Sequence, residues 1–241
     1  MRRPFIVGVA VAGLCLAWVG HAGALPTPVS SSIDFFVQAS VGTSVMSGSD
    51  TDAQGATINP LAATASAAAV SGAASATAHA SGAATWVNPA QGQVLLFDIG
   101  WETANDAIGG VDTGLGNDWR YTFVADATDT FTLDWSIVAS GTDTGGLNGF
   151  IFRFTGGSDQ LLDINTNGIL TRPVIGGGTY TVQIENLAAF GRGDLGDRTA
   201  DMDGTFNFSM TTVAAAVPQP ASFVLLGVGL LAAALVKRRA V

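Results

Sequence analysis

Alternation with a period of two residues dominates the middle of this chain, and it restricts the fold more than any other feature. Phe131, Leu133, Trp135 and Ile137 alternate with Thr132, Asp134 and Ser136; Tyr180, Val182 and Ile184 with Thr179, Thr181, Gln183 and Glu185; Phe206, Phe208 and Met210 with Thr205, Asn207, Ser209 and Thr211. Successive side chains of a strand point to opposite faces, so each segment reads as a strand with one buried and one wet face. Further strands are expected at Ile33 to Gln38, Val94 to Trp101, Trp119 to Ala125 and Phe150 to Thr155. Gly109-Gly110, Gly145-Gly146, Gly156-Gly157 and Gly176-Gly177-Gly178 supply turns between them. No segment of this region has comparable helical periodicity. The expectation is an all-β domain over residues 28–213, an antiparallel β-sandwich or jelly-roll-like fold, large enough for a single two-sheet core.

Two tracts are less decided. Leu61 to Thr85 is rich in alanine, which favours helix by propensity, but Ser75 to Ser81 alternates polar with small apolar residues and Gly72 and Gly82 would weaken a helix. It reads as one or two small-residue strands lying under bulky side chains of a facing sheet, with a helix packed on the sandwich as the alternative. Val41 to Asn59 has few bulky apolar residues and reads as a loose hairpin or loop.

The ends carry transport signals. Met1-Arg2-Arg3, the apolar stretch Phe5 to Val19 and Ala22-Gly23-Ala24 have the order of a secretory signal peptide over residues 1–24, with cleavage before Leu25. At the other end a tail over residues 214–241 holds Val217-Pro218-Gln219-Pro220, an apolar run from Ala221 to Val236 and the basic stop Lys237-Arg238-Arg239. The prolines cut the run off from any preceding helix. Its 16 residues make a short single transmembrane helix, extended by the stems of Lys237 and Arg238, and the basic cluster predicts a cytoplasmic C-terminus.

Taken together, these ends resemble the PEP-CTERM class of exported bacterial proteins, with Gln219 where that class usually has Glu. The resemblance implies recognition and removal of the tail by exosortase, a membrane protease. It also implies membrane anchoring through the C-terminal helix before processing, a later place at the cell surface or outside the cell, and an association with exopolysaccharide and biofilm matrix.

Charge and cysteine content exclude several functions. Five of the 10 basic residues lie in the end segments, and the five between them, all Arg, face 19 acidic residues from Asp34 to Asp203, a balance of −14. Nucleic acid needs clustered Lys and Arg, so it is not an expected partner. The one cysteine, Cys15, falls within the signal peptide, so the exported part has neither disulfides nor thiol chemistry.

No catalytic constellation emerges. His79 is the only histidine after residue 24, stands apart from any nucleophile, and reads as structural or solvent-facing; a Cys/His zinc site has no second ligand. Gly191 to Gly196 spells G-x-G-x-x-G without the strand and helix that a dinucleotide site requires. Glu102 and Glu185 are the only glutamates, and the aspartates gather in turns, where bonding to their own backbone explains them. Calcium is the one cofactor considered, as a structural ion. Asp112 and Asp118 in one glycine-rich loop, and Asp194, Asp197, Asp201 and Asp203 in another, concentrate hard oxygen ligands. Trp119, Tyr121 and Trp135 share faces with core residues, whereas Trp101, beside a polar loop, is the best platform for stacking a sugar. These readings converge on a non-enzymatic exported β-sandwich that binds or assembles, with polysaccharide as a candidate partner. A calcium-stabilised carbohydrate-binding module and a secreted hydrolase with unplaced carboxylates are the alternatives.

Overall fold

A computed structural model describes residues 25–104, 110–112, 118–186, 190–192 and 197–212. The expected signal peptide and C-terminal membrane helix lie outside these residues. Among the described residues no helix is long and apolar enough to cross a membrane. By internal contacts the chain divides between Thr211 and Thr212, and the first unit carries the fold.

That unit is all-β. Its strands are β1 Thr27–Val41, β2 Ser44–Gln54, β3 Leu61–Ser71, β4 Ala74–Asn88, β5 Gln91–Ala104, β6 Gly110–Asp112, β7 Asp118–Val124, β8 Asp129–Gly141, β9 Phe150–Phe154, β10 Gln160–Leu162, β11 Asn167–Val174, β12 Thr179–Asn186, β13 Phe190–Arg192 and β14 Arg198–Thr212. They form two antiparallel sheets. One runs β10-β9-β12-β7-β1, with β2 on the far edge of β1, and β6 and β13 continue it. Register places β7 and β6 in tandem along the same edge of β1, opposite Thr27 to Asp34 and opposite Gln38 and Ala39. The second sheet has the order β11-β8-β14-β5-β4-β3.

Each segment whose alternation predicted a strand lies in one. The inward faces bring Trp119, Tyr121, Phe123, Phe150 and Phe152 of one sheet against Phe131, Phe206 and Phe208 of the other, all almost fully buried. Their rings pack at offset or edge-on angles, as between Phe150 and Phe206 at 5.1 Å and between Trp119 and Phe208 at 5.4 Å.

At the other side of the sandwich the core is asymmetric. Ile33, Phe35 and Val37 of β1 pack over β3 and β4, whose inward residues are Ala63, Ala65, Ala78, Ala80 and Gly82. A Cβ on Gly82 would stand 2.7 Å from both Ile33 Cδ1 and Phe35 Cζ, so the missing side chain is the room those two occupy. The alanine-rich tract is thus a two-strand hairpin and not a helix, because its neighbours supply backbone hydrogen bonds along its length. Gly72, at φ 64°, takes the first position of its two-residue turn, a backbone conformation that glycine tolerates without strain.

The tract from Val41 to Asn59 is more regular than its composition predicted. Strand β1 continues to Val41, and β2 pairs with it from Ser44 to Gln54 as a polar edge strand. Hydrophobic periodicity cannot register such a strand, since it buries little of its own.

Candidate functional site

On the outer face of the six-stranded sheet, β5 is flanked by β4 and β14. Their registers put His79, Gly100 and Asp201 in one row. Ala78, Ala80, Ala200 and Met202 are buried, so strand alternation turns His79 and Asp201 outward. Between them Gly100 has no side chain, and a Cβ there would run into the Ala200 carbonyl and the Asp201 carboxylate. The imidazole and the carboxylate therefore meet across the middle strand, with His79 Nε2 at 2.8 Å from Asp201 Oδ1.

A β-bulge in β5 supplies the third group. The ladder shifts register between His79 and Ser81 on one side and between Met202 and Gly204 on the other. At the bulge Asp98 adopts φ 55°, a left-handed conformation that Asp accepts more readily than most residues. Its main-chain N–H donates to Asp203 Oδ1 at 2.9 Å. That turn brings Asp98 Oδ1 to 3.6 Å from His79 Nε2. One nitrogen and two carboxylate oxygens thus lie within 4.8 Å of one another. The site is open, with the side chains of His79, Asp98 and Asp201 exposed by 25 %, 60 % and 39 %. A set of one imidazole and two carboxylates can hold a divalent cation.

The structure redistributes the residues expected to bind calcium. Asp201 and Asp203 belong to β14 rather than to a loop, and their partners are His79 and Asp98 from two other strands. Asp112 closes β6 and Asp118 opens β7, where they pair along β1 with Gln38 and Asp34. Asp197 is exposed just before β14, and Asp194 lies outside the described residues. Of the whole set, Asp201 is the member whose carboxylate converges with other ligand atoms among the described residues. Reading along the chain missed His79 and Asp98 because they stand 122 and 103 residues from Asp201; the odd, unalternating Phe97-Asp98 step was the only local signal.

Trp101 must be corrected. It is 1 % exposed, on the inward face of β5, and cannot serve as a stacking platform. The bulge at Asp98 sets this orientation, because the extra residue resets the alternation after it and turns Trp101 into the core. Trp119 and Tyr121 are buried as expected, and Trp135 packs against the core while half-buried.

Farther along the same outer face a shallow trough of about 570 Å³ crosses five strands. Thr85, Gln93, Thr132, Asp134 and Asn207 line it, and Gln93 Nε2 donates to Asn207 Oδ1 at 2.8 Å. Amides and hydroxyls share it with the exposed side chains of Val87 and Ile169, and its one aromatic, Phe208, is buried.

The sorting residues Val217, Pro218, Gln219 and Pro220 and the basic stop Lys237, Arg238 and Arg239 lie outside the described residues. Residues 216–239 match the family model of the PEP-CTERM protein-sorting motif. The motif implies export, a membrane-anchored C-terminal sorting signal and processing by exosortase, a membrane protein. Neither the curated proteins nor the solved structures contain a match to the chain.

Proposed function

We propose that this chain is an exported β-sandwich protein, delivered by its C-terminal tail to the cell envelope or extracellular matrix, where it acts by binding or assembly and without catalysis. The observation that carries this reading is the sorting motif at residues 216–239, directly behind a two-sheet domain whose last strand ends at Thr212. The signal-peptide pattern of residues 1–24 supports the same route. In this reading the apolar run from Ala221 to Val236 holds the protein in the membrane until an exosortase-like protease releases it, and Gln219 serves in place of Glu. The absence of catalysis is supported by the open, flat setting of the His79 and Asp201 pair, which differs from the water-excluding clefts where paired acids work.

Within that frame the ligand class that best fits the trough on the outer face is neutral polysaccharide, because a row of amides and hydroxyls matches sugar hydroxyls in hydrogen-bonding capacity. That contact would link the protein to exopolysaccharide in a biofilm matrix. It uses Gln93 and Asn207 in place of the Trp101 expected from the sequence.

Intact mass and fractionation in the native host test the main reading. Wild type is expected as a released species that begins at Leu25 and lacks the apolar tail, whereas a Pro218→Ala, Pro220→Ala double variant stays full-length in the membrane. Full-length, membrane-held protein in both strains would overturn it. For the polysaccharide contact, retention on an exopolysaccharide column should fall in Gln93→Ala, Asn207→Ala; unchanged retention would sink that part alone.

A further inference from the structure

We propose that His79, Asp98 and Asp201 form a binding site for one divalent transition-metal ion of the zinc class, which ties β4, β5 and β14 together on the outer face of the six-stranded sheet. This goes beyond the sorting and matrix reading and does not depend on it.

The first argument is geometric. Ligand bonds of about 2.1 Å place neighbouring donors about 3.0 Å apart at octahedral angles and about 3.4 Å apart at tetrahedral ones. The two nitrogen-to-oxygen separations here, 2.8 Å to Asp201 and 3.6 Å to Asp98, bracket those edges. An ion can enter by adjustment of side chains that are partly exposed.

The second argument is electrostatic and independent of the first. Asp98 and Asp201 bring two carboxylates to one imidazole, with the Asp203 carboxylate bound to the Asp98 N–H beside them; Arg153 is held by Glu185 and Asp159, and Arg198 by Asp143. No Lys occurs between Pro4 and Val236. A divalent cation would neutralise carboxylate charge that neither Arg153 nor Arg198 offsets.

Donor chemistry selects the ion. Calcium takes 6 to 8 oxygens, and a nitrogen at the centre of the cluster is a poor ligand for it. Imidazole with carboxylates suits zinc and its neighbours. The sequence argument against zinc counted only Cys and His; here carboxylates from two other strands fill the missing places. Coordination through Nε2 leaves the imidazole proton on Nδ1, and any proton on Nε2 passes to solvent. Three protein ligands leave the remaining positions to water or to an oxygen donor from a partner. Asp203 is a positioning residue, since its bond to the Asp98 N–H holds the bulge that aims Asp98.

Equilibrium dialysis of the purified full-length chain against Zn²⁺, and visible absorption with Co²⁺ as the spectroscopic probe, test the site. Wild type is expected to take up one Zn²⁺ per chain, to show Co²⁺ ligand-field bands that Zn²⁺ bleaches, and to retain Zn²⁺ against a hundredfold excess of Ca²⁺. His79→Gln should lose saturable uptake and the Co²⁺ bands, and Asp203→Asn should weaken binding roughly ten- to a hundredfold. Asp98→Asn, at the most exposed ligand, guards against misfolding and should also bind at least tenfold more weakly with its metal-free melting curve unchanged. No saturable uptake by wild type, uptake unaltered in both His79→Gln and Asp98→Asn, or displacement by Ca²⁺ would each overturn the proposal.

Discussion

Asp50 on β2 accepts the main-chain N–H of Thr64 on β3 at 2.8 Å, so a carboxylate from one sheet caps the free edge of the other. Asp52 does the same for the N–H of Ala62 at 3.0 Å, and two residues the other way Gly48 comes so close to Ser66 that a Cβ would enter its carbonyl. The sandwich is thereby closed at this corner by side chains rather than by a backbone ladder. Small residues make the closure feasible: alanines and Gly82 beneath β1 let the sheets approach until β2 touches β3. An unpaired edge is an invitation to self-association, and this arrangement blunts it.

Removing the two carboxylates therefore has two expected effects. Asp50→Ala, Asp52→Ala should lower stability by about 1–3 kcal/mol in denaturant titration and increase self-association in sedimentation experiments. Asparagine at both positions retains an acceptor oxygen and should lose less. Wild-type stability and sedimentation in the alanine variant would show that the edge bonds contribute nothing.

Crowding beneath β1 can be probed at one atom. Gly82→Ala pushes a methyl group against Ile33 and Phe35 and should cost about 1–3 kcal/mol. Phe35→Leu in the same chain should recover part of the loss, giving a non-zero coupling in a double-mutant cycle. Strict additivity would mean that the two residues do not share this space.

Truncation of Trp101 separates core from platform. With the side chain 1 % exposed, Trp101→Ala should cost about 3–5 kcal/mol of stability. Polysaccharide retention, measured well below the variant's melting temperature, should not change. Lost retention with unchanged stability would reverse the assignment.

Alkaline pH acts through Tyr121. Its hydroxyl donates to the Pro89 carbonyl at 2.8 Å, and burial raises its pKa well above the ordinary 10.0. The folded state holds the proton that the unfolded chain releases, so this contribution to stability is complete below pH 10.0 and is lost as pH rises above it toward the folded value. The slope from this one group approaches about 1.4 kcal/mol per pH unit. Tyr121→Phe should flatten the alkaline limb of a plot of stability against pH, and an unaltered limb would place the effect elsewhere.

Strand existence was legible wherever large apolar side chains alternated with polar ones. Phe131 to Ile137, Tyr180 to Ile184 and Phe206 to Met210 each report which face is buried without reference to any partner. Strand β2 was not legible, because Ser44 to Gln54 is held by the backbone of β1 and by the bonds that Asp50 and Asp52 make to β3, neither of which leaves a periodic trace. The alanine tract was only half legible, since Ala67 and Ala69 carry no preference strong enough to outweigh the sheet around them.

The sequence by itself determined the all-β class and the sorting motif at the C-terminal end, because side-chain alternation and the Pro218-Gln219-Pro220 motif are local properties of the chain. Tertiary structure alone decided which carboxylates meet His79 and which way Trp101 faces. Both depend on a single extra residue at Asp98, which resets the alternation of β5, and on a register that aligns residues more than 100 positions apart. Local pattern carries no information about register, so neither result could be read before the strands were paired.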